Sequence, residues 1–499
     1  METQSKCVHH EPMAPVAAAS PEVTTPDIAP APRAVPMIGW RGNALSFFRN
    51  PIRYMSDLRA TYGSVACLAE GLNPTLFFQP SGSRGRTFFA FGPEHNRQIL
   101  TQLQDFQTRR PRGPRTRAFD RLSNNILFMN GAKHTEQRRL LMPAFTREHL
   151  QSYHRDIVRL TEKALEAWQP GDRRDMLPEM SRLTLKIGTK TLFGLAPTED
   201  SRSLAIKIRH MIDAMFSPVT MLPVDLPGTP YRRLRRNMED IATSLREEIE
   251  RKRRNGADGS DFLSMMIAAR DEDEGRLTDD ELISQSFVMF FAGHDTTSCA
   301  LAWTLFLLAM HPEAMEELLA ELDEHLAGGP PDYQQIYTLP VLDRVVKESL
   351  RVLSPGVVFP RVAVRDTQLG KFEVPAGSEV LFSPYITHHD SAVYENPERF
   401  LPERWKTLKA SPYEYLPFGA GARKCLGAGL GTMQLKVIVA MIVQRYRLRM
   451  VSGTRIDPHV NVVMSPKHGL PMVVHPQDRE HAHSKARVEG YIHRMVDLS

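Results

Sequence analysis

Residues 418–427 read Phe418-Gly419-Ala420-Gly421-Ala422-Arg423-Lys424-Cys425-Leu426-Gly427. Gly419 and Gly421 permit a tight backbone path, and the apolar run that follows reads as a helix over 426–446. Cys425 therefore stands at or just before a helix amino terminus. There the helix dipole and unpaired N–H groups stabilise a thiolate, and Arg423 and Lys424 add positive charge. An anionic metal ligand needs that setting, and so does a nucleophile. Two other readings stay open on these residues alone. One is an inert buried thiol; the other is a Cys–His hydrolase, whose base no sequence pattern nominates.

The remaining cysteines, Cys7, Cys67 and Cys299, are far apart and no Cys-x-x-Cys occurs. That excludes a disulfide scaffold, zinc ribbons and covalent c-type haem attachment. The chain has 499 residues, 42% hydrophobic and 24% charged, enough apolar surface to exclude disorder as its overall state. With 63 basic and 58 acidic residues the net charge is +5, a mild excess. Aromatic residues do not interleave the basic runs, so no nucleic-acid partner is expected.

Seven prolines fall between Pro12 and Pro36 with no apolar run among them. Such a stretch cannot offset its ordering entropy by burial, so residues 1–35 read as a disordered leader. No secretory h-region and no amino-terminal run of ~20 apolar residues is present, so a cytoplasmic protein without a membrane anchor is expected. Residues 477–499 read as a polar tail with a short helix over 485–495. Between them, 36–476 shows neither repeat nor low-complexity linker and reads as one large, mainly α domain with small β-sheets.

The strongest apolar stretch, 282–308, contains Gln285, His294 and Asp295. A central Asp alone disfavours membrane insertion by ~2.5–3.5 kcal/mol, and Thr278 with Glu281 forms a soluble-helix capping box. A single buried helix over 279–310 is predicted. Its run Ala292-Gly293-His294-Asp295-Thr296-Thr297 sets small residues beside an acid and hydroxyls. Small residues let a ligand approach, and an acid beside a hydroxyl relays protons. The competing reading is a polar patch for helix packing.

Every fixed position of the signature Phe-x-x-Gly-x-Arg-x-Cys-x-Gly is present in 418–427, and by it the chain resembles the cytochrome P-450 family of haem-thiolate monooxygenases, in its soluble bacterial form. The resemblance implies the family's fold, with a long central helix over the haem. Cys425 would be the axial ligand of haem b, Phe418 would pack near the sulfur, and Gly427 completes the signature. Arg423 would meet a haem propionate. So would His134 and Arg138, four residues apart on one helix face, and Arg361 after Phe359-Pro360. Asp295 and Thr296 fall on the family's oxygen-activation motif, with His294 a bystander. Glu348 and Arg351, a surface pair by spacing alone, would join Arg404 of Pro402-Glu403-Arg404-Trp405 in a buried structural network. The earlier Pro397-Glu398-Arg399-Phe400 fits the family spacing less well.

A pocket wall is expected from Val288, Phe291 and Ala292 on the central helix, from Val357, Val358 and Phe359, and from a loop over 119–128. The substrate would be an apolar small molecule: a fatty acid, a terpenoid or a polyketide-like compound. One of five arginines in 109–117 would anchor a carboxylate on it. With no flavin or iron–sulfur pattern in the chain, electrons would come from a ferredoxin or flavodoxin with its reductase. Lys133, Arg138, Arg139, Arg423 and Lys424 would form the docking face. The alternatives are a peroxide-driven or non-oxygenating haem-thiolate enzyme, disfavoured by Asp295 and Thr296, and a haem-thiolate gas or ligand binder, disfavoured by the lack of an output domain.

Overall fold

The structure, a computed structural model, describes residues 32, 34–35, 42–68, 76–78, 85–110, 116–194, single positions between 204 and 214, 224–256, 261–269 and 276–499. The expected leader lies outside the described residues except at its end. There Ala34–Val35 pairs in parallel with Cys67 and Leu68, so sheet structure starts inside the stretch read as leader.

Helices dominate the architecture. Asp279–Met310 is an unbroken helix, started by the predicted capping box: the Glu281 N–H donates to the Thr278 hydroxyl and the Thr278 N–H to the Glu281 carboxylate. Its first half, Leu282 to Phe290, packs into a core with Leu122, Phe193, Leu234, Met238 and Phe262. Its second half, Cys299 to Met310, belongs to a different core with Ile157, Val345, Val437 and Val439. The polar run 292–297 falls between the two. The helix Arg147–Leu165 carries a buried stripe that begins at Leu150 and continues through Tyr153, His154, Ile157, Leu160 and Thr161 at helical spacing.

The main sheet runs Ala34–Val35, Val65–Leu68, Thr87–Ala90, Glu379–Phe382, Phe359–Ala363, Phe106–Gln107 in spatial order. Glu379 is fully buried at the start of its strand, and its carboxylate accepts the N–H groups of Leu76, Phe77 and Phe78 at 2.7–3.0 Å. A second sheet joins Tyr446–Met450, Pro471–Pro476 and Arg173–Asp175, all antiparallel. Pro458–Val460 pairs antiparallel with Met464–Pro466 in a short hairpin.

Residues 477–499 are not a polar tail. They hold no α-helix, but Val488–Glu489 pairs in parallel with Thr454–Arg455, and Ile492, Met495 and Val496 are within 1% of full burial. The reason is local: Gly490 sits at φ +105°, and a Cβ there would lie 2.5 Å from the Ile456 carbonyl. The chain breaks there, and the apolar residues after it drop into the core as single anchors rather than a helical stripe.

Candidate active site

The cysteine loop is built by its glycines. Gly419 and Gly421 take φ +64° and +67°, and a Cβ on Gly421 would come within 2.9 Å of the Leu100 carbonyl. The turn is closed by the Cys425 N–H donating to the Phe418 carbonyl at 2.9 Å. The following helix, Ala428–Arg445, begins later than expected, with Gly427 as its cap, so Cys425 precedes the first turn. Cys425 has an exposed side chain, yet the protein around it is dense enough to push its thiol up. The Gly427 N–H and the positive charges of Arg138 and Lys424 act the other way. A Cβ on Gly427 would stand 4.0 Å from the Cys425 Sγ and 3.9 Å from the Phe145 ring, both ordinary contacts.

Two arginines tie this loop to the helix Gly131–Leu141 and to the segment just before it. Arg138 donates to the Lys424 carbonyl at 2.8 Å, and Arg423 donates to the Met129 carbonyl and, at 2.8 Å, to the Asn130 side chain. Asn130 in turn takes the Thr108 N–H at 3.1 Å. Between them sits buried His134, lowered to about 4 by burial and by the charges of Arg423 and Arg138, hence neutral.

Arg361 is the electrostatic anomaly. It is 8% exposed, one N–H donates to the Pro360 carbonyl at 2.8 Å, and its Nε has no partner. Burial and the neighbouring Arg423 lower it to about 9. Among the described residues none of Arg138, Arg361 and Arg423 has an acidic side-chain partner within ion-pair distance. Arg361, the buried one of the three, calls for an anion, and a dianionic porphyrin fits that demand.

Glu348, Arg351 and Arg404 converge as the resemblance implies. Glu348 and Arg351 are fully buried. One Glu348 oxygen accepts from Arg351 (2.8 Å), Arg404 (2.9 Å) and the Leu401 N–H (3.0 Å); the other accepts from Arg351 (3.0 Å) and Trp405 (2.9 Å). Arg351 spends its remaining donors on the carbonyls of His388, Pro397 and Arg399, and lies 5.0 Å from the Tyr394 ring centre. Such a charge set is tolerable in a core because its donors and acceptors are matched. Arg399 contributes only its backbone carbonyl, while its side chain faces Asp497 at 3.7 Å. Trp405 and His388 are network members that sequence reasoning missed; Trp405 stood next to the chosen arginine, but nothing marked His388.

On the central helix, Thr296 donates to the Ala292 carbonyl at 2.6 Å, and Asp295 is partly exposed beside it. His294 is buried against Ser181 and Thr184 of the helix Met176–Phe193, with Asp295 3.5 Å from its Nε2. Of the expected pocket residues, Val288 and Val357 are 2% exposed and serve the two cores. Phe291, Ala292, Val358 and Phe359 retain surface to offer a ligand. The stretch 119–128 is partly helical, with Arg117–Ser123 followed by turns.

Among the expected docking residues, Lys133 pairs with Glu281 at 3.2 Å, and Arg138 and Arg423 are held as above. Lys424 is exposed and lines a surface cavity of about 290 Å³ together with Tyr337, Phe418 and Lys436. Of the arginines in 109–117, Arg112 and Arg115 lie outside the described residues, and Arg110 faces Asp120 at 3.4 Å. Among the described residues no helix is long and apolar enough to cross a membrane.

Comparison with known proteins gives a consistent picture. The family model described as cytochrome P450 matches residues 30–472. Cyclooctat-9-en-7-ol 5-monooxygenase of Streptomyces melanosporofaciens is 32% identical over 474 residues, covering 93% of this chain and 99% of that one. Pentalenene oxygenase of Streptomyces avermitilis is 29% identical, covering 86% and 93%. A retinoic acid-bound cyanobacterial structure superposes with a TM-score of 0.78 at 25% identity, covering 90% of this chain and 99% of that one.

Proposed function

Because the chain belongs to the cytochrome P450 family, whose members are haem-thiolate monooxygenases, we propose that Cys425 supplies the thiolate and that the substrate is an apolar, terpenoid-like molecule. The enzyme is an oxidoreductase whose cofactor is haem b. The observation that carries the assignment is Arg361, a buried cation without an acid, electrostatically coupled to Arg423 of the cysteine loop.

Haem b, when bound through a thiolate, supplies the dioxygen chemistry. The chain's own residues do the rest. Arg361 binds an anionic propionate, and Arg138 and Arg423 brace the loop so that Cys425 keeps its place. His134, neutral at physiological pH, adds a hydrogen-bonding group without adding charge to a crowded cationic site. Thr296 orients its hydroxyl through the Ala292 carbonyl, and Asp295, at the partly exposed edge, holds a proton for delivery. Phe291, Ala292, Val358 and Phe359 face the substrate and exclude water.

Terpenoid chemistry is favoured by the names of two relatives and by Arg110, whose pairing with Asp120 weighs against a carboxylate anchor on that arginine. Electrons arrive from a separate ferredoxin- or flavodoxin-type protein. Its docking site is Lys424 with the cavity beside it, where Tyr337 is 58% exposed and offers an aromatic anchor.

Two measurements test this reading. The reduced protein with carbon monoxide should show a thiolate-shifted Soret band that Cys425→His abolishes; an unshifted band in the natural sequence sinks the assignment. Titration with cyclic terpene alcohols should convert the ferric spin state, and conversion by fatty acids alone would overturn the substrate class.

A further inference from the structure

Gln285 interrupts the apolar first half of the central helix, is fully buried, and belongs to a hydrogen-bond chain whose two ends dictate its direction. At one end is the Ile126 N–H, which only donates and lies 3.2 Å from Gln285 Oε1. At the other end is the Glu281 carboxylate. Burial raises its pKa, but the Thr278 N–H and hydroxyl and the Lys133 ammonium outweigh burial and hold it below the ordinary value, so it is ionised and only accepts. Between the two ends stand Gln285 and the equally buried Gln137 of the helix Gly131–Leu141. Gln285 Nε2 donates to Gln137 Oε1 at 3.1 Å, and Gln137 Nε2 donates to Glu281 at 3.3 Å. Turning over Gln285 would set its NH2 against the Ile126 N–H. Turning over Gln137 would set its NH2 against that of Gln285 and its oxygen against the carboxylate. Both orientations are therefore fixed.

What the chain holds is the turn after the helix Arg117–Ser123. Inside that turn the Phe128 and Met129 N–H groups both donate to the Asn125 carbonyl, which leaves the Ile126 N–H to Gln285. The neighbouring Ser284 hydroxyl lies 2.7 Å from the Asn124 carbonyl, a second tie to the central helix. Beyond the turn, Arg423 of the cysteine loop donates to the Met129 carbonyl and to Asn130. Between these moorings Leu127 is 45% exposed, an apolar side chain with surface to offer a ligand. We infer that Gln285 is a positioning residue for substrate binding: through a hydrogen-bond chain of fixed polarity it holds the turn 124–128 in the shape that the substrate meets. A turn held in advance leaves less ordering to be done on binding. The inference rests on the proposed monooxygenase reading, with 119–128 in the pocket wall.

The test uses the holoenzyme. Gln285→Leu leaves the Ile126 N–H and the Gln137 carbonyl unpaired. Amide hydrogen exchange over 119–130, read by mass spectrometry, should quicken roughly tenfold. Affinity for a cyclic terpene alcohol, read by spin shift, should fall by a similar factor while the thiolate-shifted carbonyl band is retained. Unchanged exchange in that stretch overturns the inference, and so does faster exchange with unchanged affinity. Polarity supplies the second arm. Gln285→Glu sets an acceptor against the Gln137 oxygen, and turning Gln137 over only moves the conflict to Glu281. Adding Glu281→Gln removes it: Gln137 turns over, donates to the new carboxylate and accepts from the new amide, whose carbonyl still serves the Thr278 cap. The double variant should exchange more slowly and bind more tightly than Gln285→Glu alone, a rescue that a packing role does not give. A double variant no better than the single one overturns the inference. Failure of the underlying reading looks different: cyclic terpene alcohols and fatty acids alike would leave the natural protein's spin state unchanged, while the exchange rates report on the chain independently.

Discussion

The Leu416 N–H donates to His388 Nε2 at 2.8 Å, and the carbonyl of the same histidine receives Arg351 at 2.7 Å. Leu416 in turn takes the Gly419 N–H on its carbonyl at 3.0 Å, at the first turn of the cysteine loop. One fully buried histidine thus connects the Glu348–Arg351 network to the loop that carries Cys425. Replacing it with Phe deletes the acceptor and leaves a buried N–H unsatisfied, at a cost of about 1–3 kcal/mol. His388→Phe should lower the melting temperature and the haem retained on gel filtration; full retention at an unchanged melting temperature would show the link to be idle.

The two Pro-Glu-Arg motifs are predicted to differ sharply. Arg404→Ala removes a guanidinium from a fully buried carboxylate, and breaking such a pair costs about 3–5 kcal/mol. Arg399→Ala removes an exposed side chain and spares the carbonyl that Arg351 uses, so its effect should stay within about 1 kcal/mol. Chemical denaturation of the two variants measures the contrast, and equal losses contradict the assignment.

Gly421→Ala meets two penalties, a positive φ and a Cβ 2.9 Å from the rigid Leu100 carbonyl. Gly453→Ala meets only the first, since no atom lies within 4 Å of its Cβ. The exposed-turn variant should lose about 1–2 kcal/mol. The loop variant should lose more, together with haem occupancy read from the absorbance ratio of Soret to protein band.

Acid should unfold the protein from an identifiable set of groups. Burial holds His389 at about 3 and His134 at about 4, and puts His388 well below its ordinary 6.5. Unfolded, these rings take up protons near pH 6.5, so the unfolded state binds more protons between pH 6.5 and 3. Stability is therefore full above pH 6.5 and is lost as the pH falls through that window. Melting temperatures between pH 7.5 and 4 should decline, with a shallower slope in His389→Asn. A slope identical to that of the natural sequence removes His389 from the set.

Deleting residues 477–499 should abolish soluble expression rather than trim a tail. Ile492, Met495 and Val496 are within 1% of full burial, and each such side chain contributes about 1.5–3 kcal/mol. Their sum is comparable to the whole stability of a domain, about 5–15 kcal/mol. A soluble, haem-loaded truncation would contradict this.

What is legible in one dimension depends on how far the interaction reaches along the chain. The cysteine loop, the Thr278–Glu281 cap and the central helix are written in neighbouring residues, and each forms near its expected place. Glu348, Arg351 and Arg404 are readable only because two short motifs pair in the family; spacing alone suggests a surface pair. His388, Asn130 and Thr184 carry no local mark, since their partners Leu416, Arg423 and His294 lie 28 to 293 residues away. The anchors at Ile492, Met495 and Val496 escape for a different reason: without periodicity, isolated apolar residues are indistinguishable from a polar tail with exceptions.

The central helix has its ends clamped in two separate cores. Between Leu282 and Met310 every residue is buried except Met289, Phe291, Ala292, Gly293, Asp295 and Thr296. Met289 and Phe291 still pack against the first core, which leaves Ala292, Gly293, Asp295 and Thr296 as the positions whose side chains belong to neither core. Diversification is thereby steered to the part of the helix proposed to meet the reactants, while the scaffold on both sides holds still. One helix serves as both foundation and interchangeable tool head, and new substrate preferences are reachable there without re-solving the fold.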